Sequence, residues 1–165
     1  MLDGSTIIIC GFNKTRVKLN ARIRDYNDFH EHTPMIGDRV ICLKNNKKSN
    51  VPLYNGSHGT VRHIDKRNKY DYANAVIEMD GVSDDMFRGK ITYDGFTQEK
   101  VDAWSMPQGR EVFDYGYVIT AHKSQGSEFE RVMVIEEGRN IWQENWNRWL
   151  YTAVTRSQSE LLIVG

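Results

Sequence analysis

The hydrophobic pattern changes twice along the chain, and this order constrains the fold more than any other feature. Residues 6–10 read TIIIC and residues 131–136 read RVMVIE, apolar runs typical of strands in a parallel sheet. Between residues 33 and 110, short strand patterns alternate with turn dipeptides such as Asn55-Gly56, and no long helical pattern occurs. That middle pattern favours a small antiparallel barrel. The chain is therefore predicted to be an α/β domain interrupted by a barrel insertion.

Strands and helices alternate in the two outer segments, as expected of a sheet with helices packed on it. The predicted strands lie at residues 6–10, 114–120, 131–136 and 160–165, and the predicted helices at residues 14–28 and 140–156. Apolar side chains spaced three to four residues apart define the inner face of the first helix. That face is predicted to consist of Val17, Leu19, Ile23 and Tyr26.

The middle segment includes the most basic part of the chain. Its strands are predicted at residues 39–43, 59–63, 75–79 and 90–93. Residues 39–69 hold eight basic residues and a single acid, Asp65, and residues 14–24 hold five basic residues and no acid. The zero formal net charge, from 22 basic and 22 acidic residues, is therefore a sum over unlike segments. It does not exclude a polyanionic partner such as nucleic acid.

Length and cysteine content narrow the class of protein. The 165 residues suffice for one domain with a small insertion. Cys10 and Cys42 lie in strand-like runs without a CxxC partner, which predicts reduced thiols in a cytoplasmic protein. The cysteines and the five histidines show no zinc-ligand spacing, so we expect no metal site. No run approaches the roughly 18 apolar residues of a membrane span, so we expect no membrane partner.

The polar stretch TAHKSQGSEF, residues 120–129, stands where a strand ends and a turn and short helix are predicted to begin. In open α/β sheets, ligands bind at the carboxyl ends of the strands. Small polar residues and backbone N–H groups at residues 124–127 suit phosphate or ribose, and His122 and Lys123 add donors for a nucleic-acid backbone. The same residues also fit an ordinary surface turn.

Arg156 stands at the end of the predicted last helix, within YTAVTRS, residues 151–157. One interpretation is that its positive charge complements the helix dipole. The other is that its guanidinium neutralises charge on a transferring γ-phosphoryl group, as arginines of nucleotide hydrolases do. The residue alone does not decide between these interpretations.

Three motifs in order resemble the C-terminal half of superfamily 1 DNA helicases, and of their RecD/Dda branch in particular. IIICGFNKTRVKLNARIR (residues 7–24) contains a stretch similar to motif IV at Asn13–Asn20, TAHKSQGSEF is similar to motif V and YTAVTRS to motif VI. GDRVICLKNNKK and PLYNGSHGTV, within residues 37–61, resemble the start of the SH3-like barrel of this branch. The resemblance implies a RecA-like second motor domain, residues 1–32 and 111–165, interrupted by an SH3-like barrel, residues 33–110.

The resemblance also implies a role for individual residues. Arg156 would be the catalytic residue that contacts the γ-phosphate of ATP. The ATP-binding set would be Arg16, Gln125, Gly126, Glu128 and Arg156. The set that binds single-stranded DNA would be Thr120, His122, Lys123 and Ser124 in motif V, with Lys44, Lys47 and Lys48 in the barrel. Motif V would thus contact DNA at one end and nucleotide at the other.

The chain contains no G-x-x-x-x-G-K-[ST] phosphate loop. In the family this loop belongs to the first RecA-like domain, which would bind most of ATP and its Mg²⁺. We therefore expect a fragment, or the product of a truncated or split gene, which is inactive alone and needs that domain as a partner in the same or a separate chain.

The expected whole protein is a monomeric, ATP-dependent 5′-to-3′ DNA helicase of replication, repair or recombination, in the cytoplasm of a bacterial or phage-infected cell. Two alternatives remain open at this point. One is a stand-alone module that binds single-stranded nucleic acid without ATP turnover, and the other is one domain of a relaxase-type protein.

Overall fold

A computed structural model describes residues 6–66, 68–139 and 143–165 of the chain. These residues form two compact units, a sheet unit of residues 6–27 and 117–165 and a barrel unit of residues 28–116. The elements in chain order are β1 (Thr6–Cys10), α1 (Asn13–Tyr26), β2 (Arg39–Cys42), β3 (His58–Ile64), β4 (Tyr72–Met79), β5 (Phe87–Thr92), α2 (Asp94–Thr97), β6 (Glu111–Tyr115), β7 (Val118–Thr120), β8 (Phe129–Ile135), α3 (Glu144–Val154) and β9 (Ser157–Val164).

The sheet unit contains a four-stranded parallel sheet with the strand order β7-β1-β8-β9. In this register Ile8 pairs with Val118 on one side and with Met133 on the other. β1 is central, and its residues 7–10 are buried, as the continuous apolar run predicts. The predicted parallel sheet is therefore confirmed.

The last strand, β9, differs from the prediction of a strand buried on both faces. Leu161, Leu162 and Ile163 are 45%, 53% and 45% exposed. β9 lies at the edge of the sheet and pairs only with β8 among the described strands. An apolar run in the sequence thus identified the strand but not its burial.

Helix α1 buries polar side chains instead of the predicted apolar face. Val17 and Tyr26 are 40% and 78% exposed, whereas the buried residues are Arg16, Asn20 and Arg24. β7 is an edge strand, so one side of its backbone needs a hydrogen-bonding partner. The Asn20 amide supplies it, since its Nδ2 donates to the Val118 carbonyl at 2.9 Å and its Oδ1 accepts from the Val118 N–H at 3.0 Å.

The barrel unit is a closed barrel with the strand order β2-β3-β4-β5-β6. Neighbouring strands are antiparallel except for β5 and β6, which are parallel. Its core includes Val40, Leu53, Ile77, Phe87 and Phe113, with the two phenylalanine ring centroids 5.6 Å apart. The predicted barrel insertion is therefore confirmed.

The strand predicted at residues 114–120 is two strands in the structure. β6 belongs to the barrel and β7 to the sheet, and the chain passes from one to the other at Gly116 and Tyr117. A Cβ on Gly116 would lie 2.8 Å from the carbonyl carbon of Val40, so only glycine fits there. The units divide at residues 28 and 117, whereas the sequence predicts boundaries at residues 33 and 111.

Helix α3 covers most of the last predicted helix. It runs from Glu144 to Val154 within the predicted residues 140–156, and Asn140, Ile141 and Trp142 lie outside the described residues. The short helix predicted after β7 is absent, because residues 121–126 form successive turns that lead into β8.

Candidate functional site

The polar turns of the sheet unit lie at two opposite edges of the sheet. β1, β7 and β8 are parallel, so the residues that follow them share the carboxyl edge. The segment between β7 and β8 crosses from that edge to the amino edge, where β8 and β9 begin. At the amino edge the Phe129 N–H donates to the Arg156 carbonyl at 2.8 Å. Thr120 and Arg156 therefore lie at opposite edges.

At the carboxyl edge, two hydroxyl groups shape the turn after β7. Ser124 is fully buried, and its Oγ donates to the Ala121 carbonyl at 2.8 Å. Thr120 is also buried, and its Oγ1 accepts from the Lys123 N–H at 3.4 Å. His122 is exposed and Lys123 is half-buried. Of the four predicted DNA-binding residues here, His122 is thus exposed and Lys123 partly accessible, while Thr120 and Ser124 hold the turn.

Farther along the same segment, the three predicted nucleotide-binding residues are exposed. They are Gln125, Gly126 and Glu128. Gly126 has a φ of +83°, a conformation that favours glycine. The Glu128 carboxylate accepts from the Gln158 Nε2 at 3.1 Å, which ties this end of the segment to the start of β9. Because no helix follows the turn, a helix N-terminus does not contribute to anion binding here.

Arg156 is held beside this segment by neutral oxygen atoms. Its Nε donates to the Thr152 carbonyl at 3.1 Å and its Nη1 to the Ser127 carbonyl at 3.2 Å. Its Nη2 donates to the Thr155 Oγ1 at 3.0 Å. No carboxylate among the described residues forms an ion pair with Arg156. The guanidinium is thus fixed in direction while its positive charge remains uncompensated by any described acid.

Arg16 is not brought together with Arg156. It lies in the first turns of α1, just after β1, and therefore near the carboxyl edge instead of the amino edge. Its side chain is only 2% exposed, and its Nε donates to the Asn13 Oδ1 at 3.3 Å. Arg16 and Arg156 thus belong to elements at opposite edges of the sheet, and the role of Arg16 in nucleotide binding stays a prediction.

Glu137, which the sequence reasoning did not identify, holds the start of α1. Its Oε1 accepts from the N–H groups of Gly11 and Phe12 at 2.7 and 2.8 Å, and its Oε2 accepts from the Thr15 hydroxyl at 2.8 Å. A carboxylate at a helix N-terminus is favourable because it satisfies free N–H groups and complements the dipole. The sequence holds one signal for such a residue. Phe12, the N-cap residue of α1, has no side chain that can cap the helix, so another group must accept from the free N–H groups.

Both cysteines are buried thiols. Burial, together with the nearby Glu137 carboxylate, raises the pKa of Cys10 to about 12, although Arg16 acts in the opposite direction. Burial raises the pKa of Cys42 to about 11. Raised pKa values disfavour the thiolate, so neither residue is set up as a nucleophile.

In the barrel unit, the three predicted DNA-binding lysines lie in the loop after β2. Lys47 and Lys48 are exposed, and the Lys44 Nζ lies 5.4 Å from the centroid of the Trp104 ring. His58 is only 8% exposed and cannot stack on a base as placed.

The described residues contain no group of three His, Cys, Asp or Glu side chains placed to hold a metal ion. None of the helices that these residues form is long and apolar enough to cross a membrane.

Part of the chain is similar to a known domain family. Residues 115–164, which include the turn after β7 and Arg156, match the UvrD-like helicase C-terminal domain. The fold agrees with solved helicase structures over the whole chain. The similar structures therefore confirm the predicted fold, a parallel α/β sheet interrupted by a closed barrel.

The similar structures include Pif1 helicases from two organisms. Bacteroides Pif1, solved in complex with ADP-AlF3 and ssDNA, gives a TM-score of 0.63 at 17% identity, covering 100% of this chain and 41% of that one. Pif1 from Candida albicans gives 0.55 at 15% identity, covering 100% and 46%. An uncharacterized protein of Methanocaldococcus jannaschii is 29% identical over 144 residues, covering 78% of this chain and 10% of that protein. The chain spans less than half of each.

Proposed function

We propose that the chain is the C-terminal motor part of an ATP-dependent DNA helicase of the RecD/Dda branch, and that its sheet unit forms one wall of an ATP cleft. The whole protein would be a monomeric cytoplasmic ATPase that acts on DNA in replication, repair or recombination. The first RecA-like domain, in the same or a separate chain, would form the other wall and hold most of the ATP and Mg²⁺.

The observation that most directly supports this proposal is the setting of Arg156. Three neutral oxygen atoms fix its guanidinium, and no described acid compensates its charge. A planar cation in that state suits a phosphate group, because it can donate two parallel hydrogen bonds to phosphate oxygens. Arg156 would contact the γ-phosphate and stabilise the negative charge that develops during phosphoryl transfer.

Exposed groups beside Arg156 would complete this wall. Gln125, Gly126 and Glu128 lie in the segment whose Ser127 carbonyl accepts from Arg156. Arg16, buried near the start of α1, stays a predicted member of the ATP-binding set.

The turn at the other end of the same segment would grip single-stranded DNA. His122 and Lys123 offer donors to the phosphate backbone, and the buried hydroxyls of Thr120 and Ser124 keep that turn in shape. Residues 121–128 contact Arg156 at one edge of the sheet and would contact DNA at the other. This short segment would give a physical route from ATP hydrolysis to movement along the DNA strand. Closure of the cleft would complete the catalytic arrangement.

The decisive experiment replaces Arg156 in the intact motor, meaning this chain together with its phosphate-loop domain. For Arg156→Ala we expect the DNA-stimulated kcat to fall about a thousandfold or more, since arginine fingers contribute roughly 10³–10⁵. The dissociation constant for single-stranded DNA should change less than about twofold, because the DNA turn does not involve this side chain.

Arg148→Ala is the matched control, because Arg148 is an exposed arginine of the same helix, α3. It should turn over ATP like the parent. The isolated 165-residue chain serves as the background sample and should show no DNA-stimulated turnover. Unchanged kcat in Arg156→Ala, or turnover by the isolated chain, would contradict the proposal.

A further inference from the structure

Helix α1 carries two rows of exposed side chains on the side opposite its buried residues. Side chains two residues apart point about 200° apart at 3.6 residues per turn, so the row that alternates with the buried Arg16, Asn20 and Arg24 points outward. This first row consists of Lys14, Lys18, Arg22 and Tyr26, all exposed. The row beside it consists of Val17, Ala21 and Asp25, which are also exposed. We call the two rows together the α1 outer face.

The three cations of the first row are placed against the stability of the helix. Successive cations are four residues apart, and like charges at that spacing repel each other. Lys14 also lies in the first turn of α1, where the helix dipole disfavours a cation and no acidic residue is present. No carboxylate of the described residues forms an ion pair with Lys14, Lys18 or Arg22. Their positive charge is therefore available to a partner that carries negative charge.

The spacing of these cations matches that of acidic side chains on a second helix. Residues four apart lie about 6 Å apart along a helix axis, so a row of glutamates at every fourth position has the same repeat. Two helices pack by placing such a row of one into the groove between rows of the other. Ala21 lies between Val17 and Asp25 in the second row, and its small side chain leaves room for an incoming row.

The second row also favours a protein helix over a nucleic-acid strand. Val17 is 40% exposed and offers an apolar contact, for which a phosphate backbone has no matching group. Asp25 adds a negative charge next to the cations, which is unfavourable for phosphates. A helix that is acidic in one row and apolar in the next can match both rows of the α1 outer face.

We propose that the α1 outer face binds an acidic amphipathic helix of a partner protein. Acidic side chains of the partner, four residues apart, would contact Lys14, Lys18 and Arg22. An apolar side chain of the partner would pack on Val17, and the Tyr26 ring, 78% exposed, would be buried against the same helix. The surface shares no residue with the proposed ATP wall or the DNA turn, so this inference goes beyond the proposed function and does not rest on it.

The test measures binding of a fluorescein-labelled probe peptide to the complete 165-residue chain by anisotropy. The probe is a helical peptide with glutamates at every fourth position and leucines in the adjacent row. A control peptide of the same composition distributes its glutamates around the helix. It should bind about tenfold more weakly, as expected for the loss of three exposed ion pairs.

Lys18→Glu is the most informative variant, because it separates binding from folding. It should raise the dissociation constant of the probe at least about tenfold, since it opposes like charges across the interface. Within α1 the same change replaces two repulsive pairs with attractive ones, to Lys14 and to Arg22. Urea denaturation should therefore show a sheet unit at least as stable as the parent, so unfolding cannot explain the weaker binding.

Arg148→Glu is the matched control, because it makes the same change of charge at an exposed arginine of α3. It should bind the probe like the parent. A probe whose central glutamate is replaced by lysine should bind Lys18→Glu more tightly than it binds the parent, because the two charges are then exchanged between the partners.

Three results would overturn the inference. One is absence of probe binding by the parent, and another is equal binding of the probe by the parent and Lys18→Glu. The third is displacement of the probe by dT20 together with an equal loss of dT20 affinity in Lys18→Glu, since the α1 outer face would then be a nucleic-acid site.

Discussion

The barrel and the sheet units bury their apolar residues to different extents. The barrel closes on itself, and its core residues, such as Val40, Phe87 and Phe113, are at most 1% exposed. The sheet unit has an equally buried central strand, but its edge strand β9 leaves Leu162 53% exposed, and its helix α1 buries Arg16 and Arg24. Closure removes the edges of a sheet, whereas an open sheet must protect or use them.

Because of this difference, the two units should owe their stability to different kinds of contact. In the barrel, the free energy of unfolding should come from its apolar core, and outward side chains remain available for a ligand. In the sheet unit, specific polar contacts from Asn20, Glu137 and Arg156 position the elements and the turns. Substitutions should therefore act through packing in the barrel and through hydrogen bonds in the sheet unit.

The largest expected effect tests packing. Phe87→Ala should lower the free energy of unfolding of the barrel by about 3–5 kcal/mol, because it removes a fully buried ring and leaves a cavity beside Phe113. Urea denaturation followed through amide NMR signals of each unit would measure it. Leu162→Ala in β9 is the apolar control, and its exposed side chain should change the sheet unit by no more than about 0.5 kcal/mol. Equal losses in the two variants would break the comparison.

The second effect concerns a buried histidine of the barrel. Burial, aided by the nearby Arg39 and opposed by Asp80, lowers the pKa of His58 from 6.5 to about 4. Between these values the unfolded chain binds more protons than the folded one, so the free energy of unfolding falls as the pH falls. The stabilisation is complete above pH 6.5, is lost towards pH 4 and amounts to about 3 kcal/mol.

Urea denaturation of the barrel at several pH values would measure this dependence. His58→Gln cannot titrate, so its stability should not vary through this window beyond the small contributions of other groups. His32→Gln, which replaces an exposed histidine of the same unit, should keep the slope of the parent. If His58→Gln kept the full slope, another group would be responsible.

The elements that depend on local signals could be predicted from the sequence. The last residues of β2 and β4 lie within one residue of the predicted positions. Turn dipeptides such as Asp80-Gly81 mark these positions, because they terminate the strand directly before them. β6 was merged with β7, since its partners β2 and β5 are remote in the chain and Gly116 alone marked the break. The apolar face predicted for α1 was wrong for a similar reason. Asn20 is buried because it pairs with the backbone of Val118, which lies 98 residues away in the chain.

The candidate site shows the same limit. The motif resemblance led to Arg156 and to the segment after β7, and the structure places them in contact through the Ser127 carbonyl. It did not lead to Glu137, whose partner Gly11 lies 126 residues away. The resemblance also groups Arg16 with Arg156, and this grouping stays a prediction, since the two residues belong to elements at opposite edges of the sheet. Residue type and spacing do not show at which edge of the sheet a turn lies when a connecting segment, such as that between β7 and β8, crosses the sheet.

The smallest expected effect concerns Glu137 and sharpens the contrast between packing and polar contacts. Glu137→Ala removes the acceptor of two N–H groups and one hydroxyl at the start of α1. It should lower the free energy of unfolding of the sheet unit by about 1–2 kcal/mol, as loss of an N-cap does, and leave the barrel unchanged. Hydrogen exchange should accelerate at the Gly11 and Phe12 amides in particular. A general loss of packing would instead accelerate exchange at many positions.

The neighbouring Glu136 provides the control for this effect. Its carboxylate lies 3.9 Å from the Nη1 of the exposed Arg139, and a long, partly solvated ion pair of this kind contributes little. Glu136→Ala should therefore change the free energy of unfolding by less than about 0.5 kcal/mol and leave the two amides protected. Glu137→Gln keeps an oxygen acceptor without the charge, so it should fall between the parent and Glu137→Ala. Equal shifts for Glu136→Ala and Glu137→Ala would mean that local charge, and not the cap geometry, stabilises this end of α1.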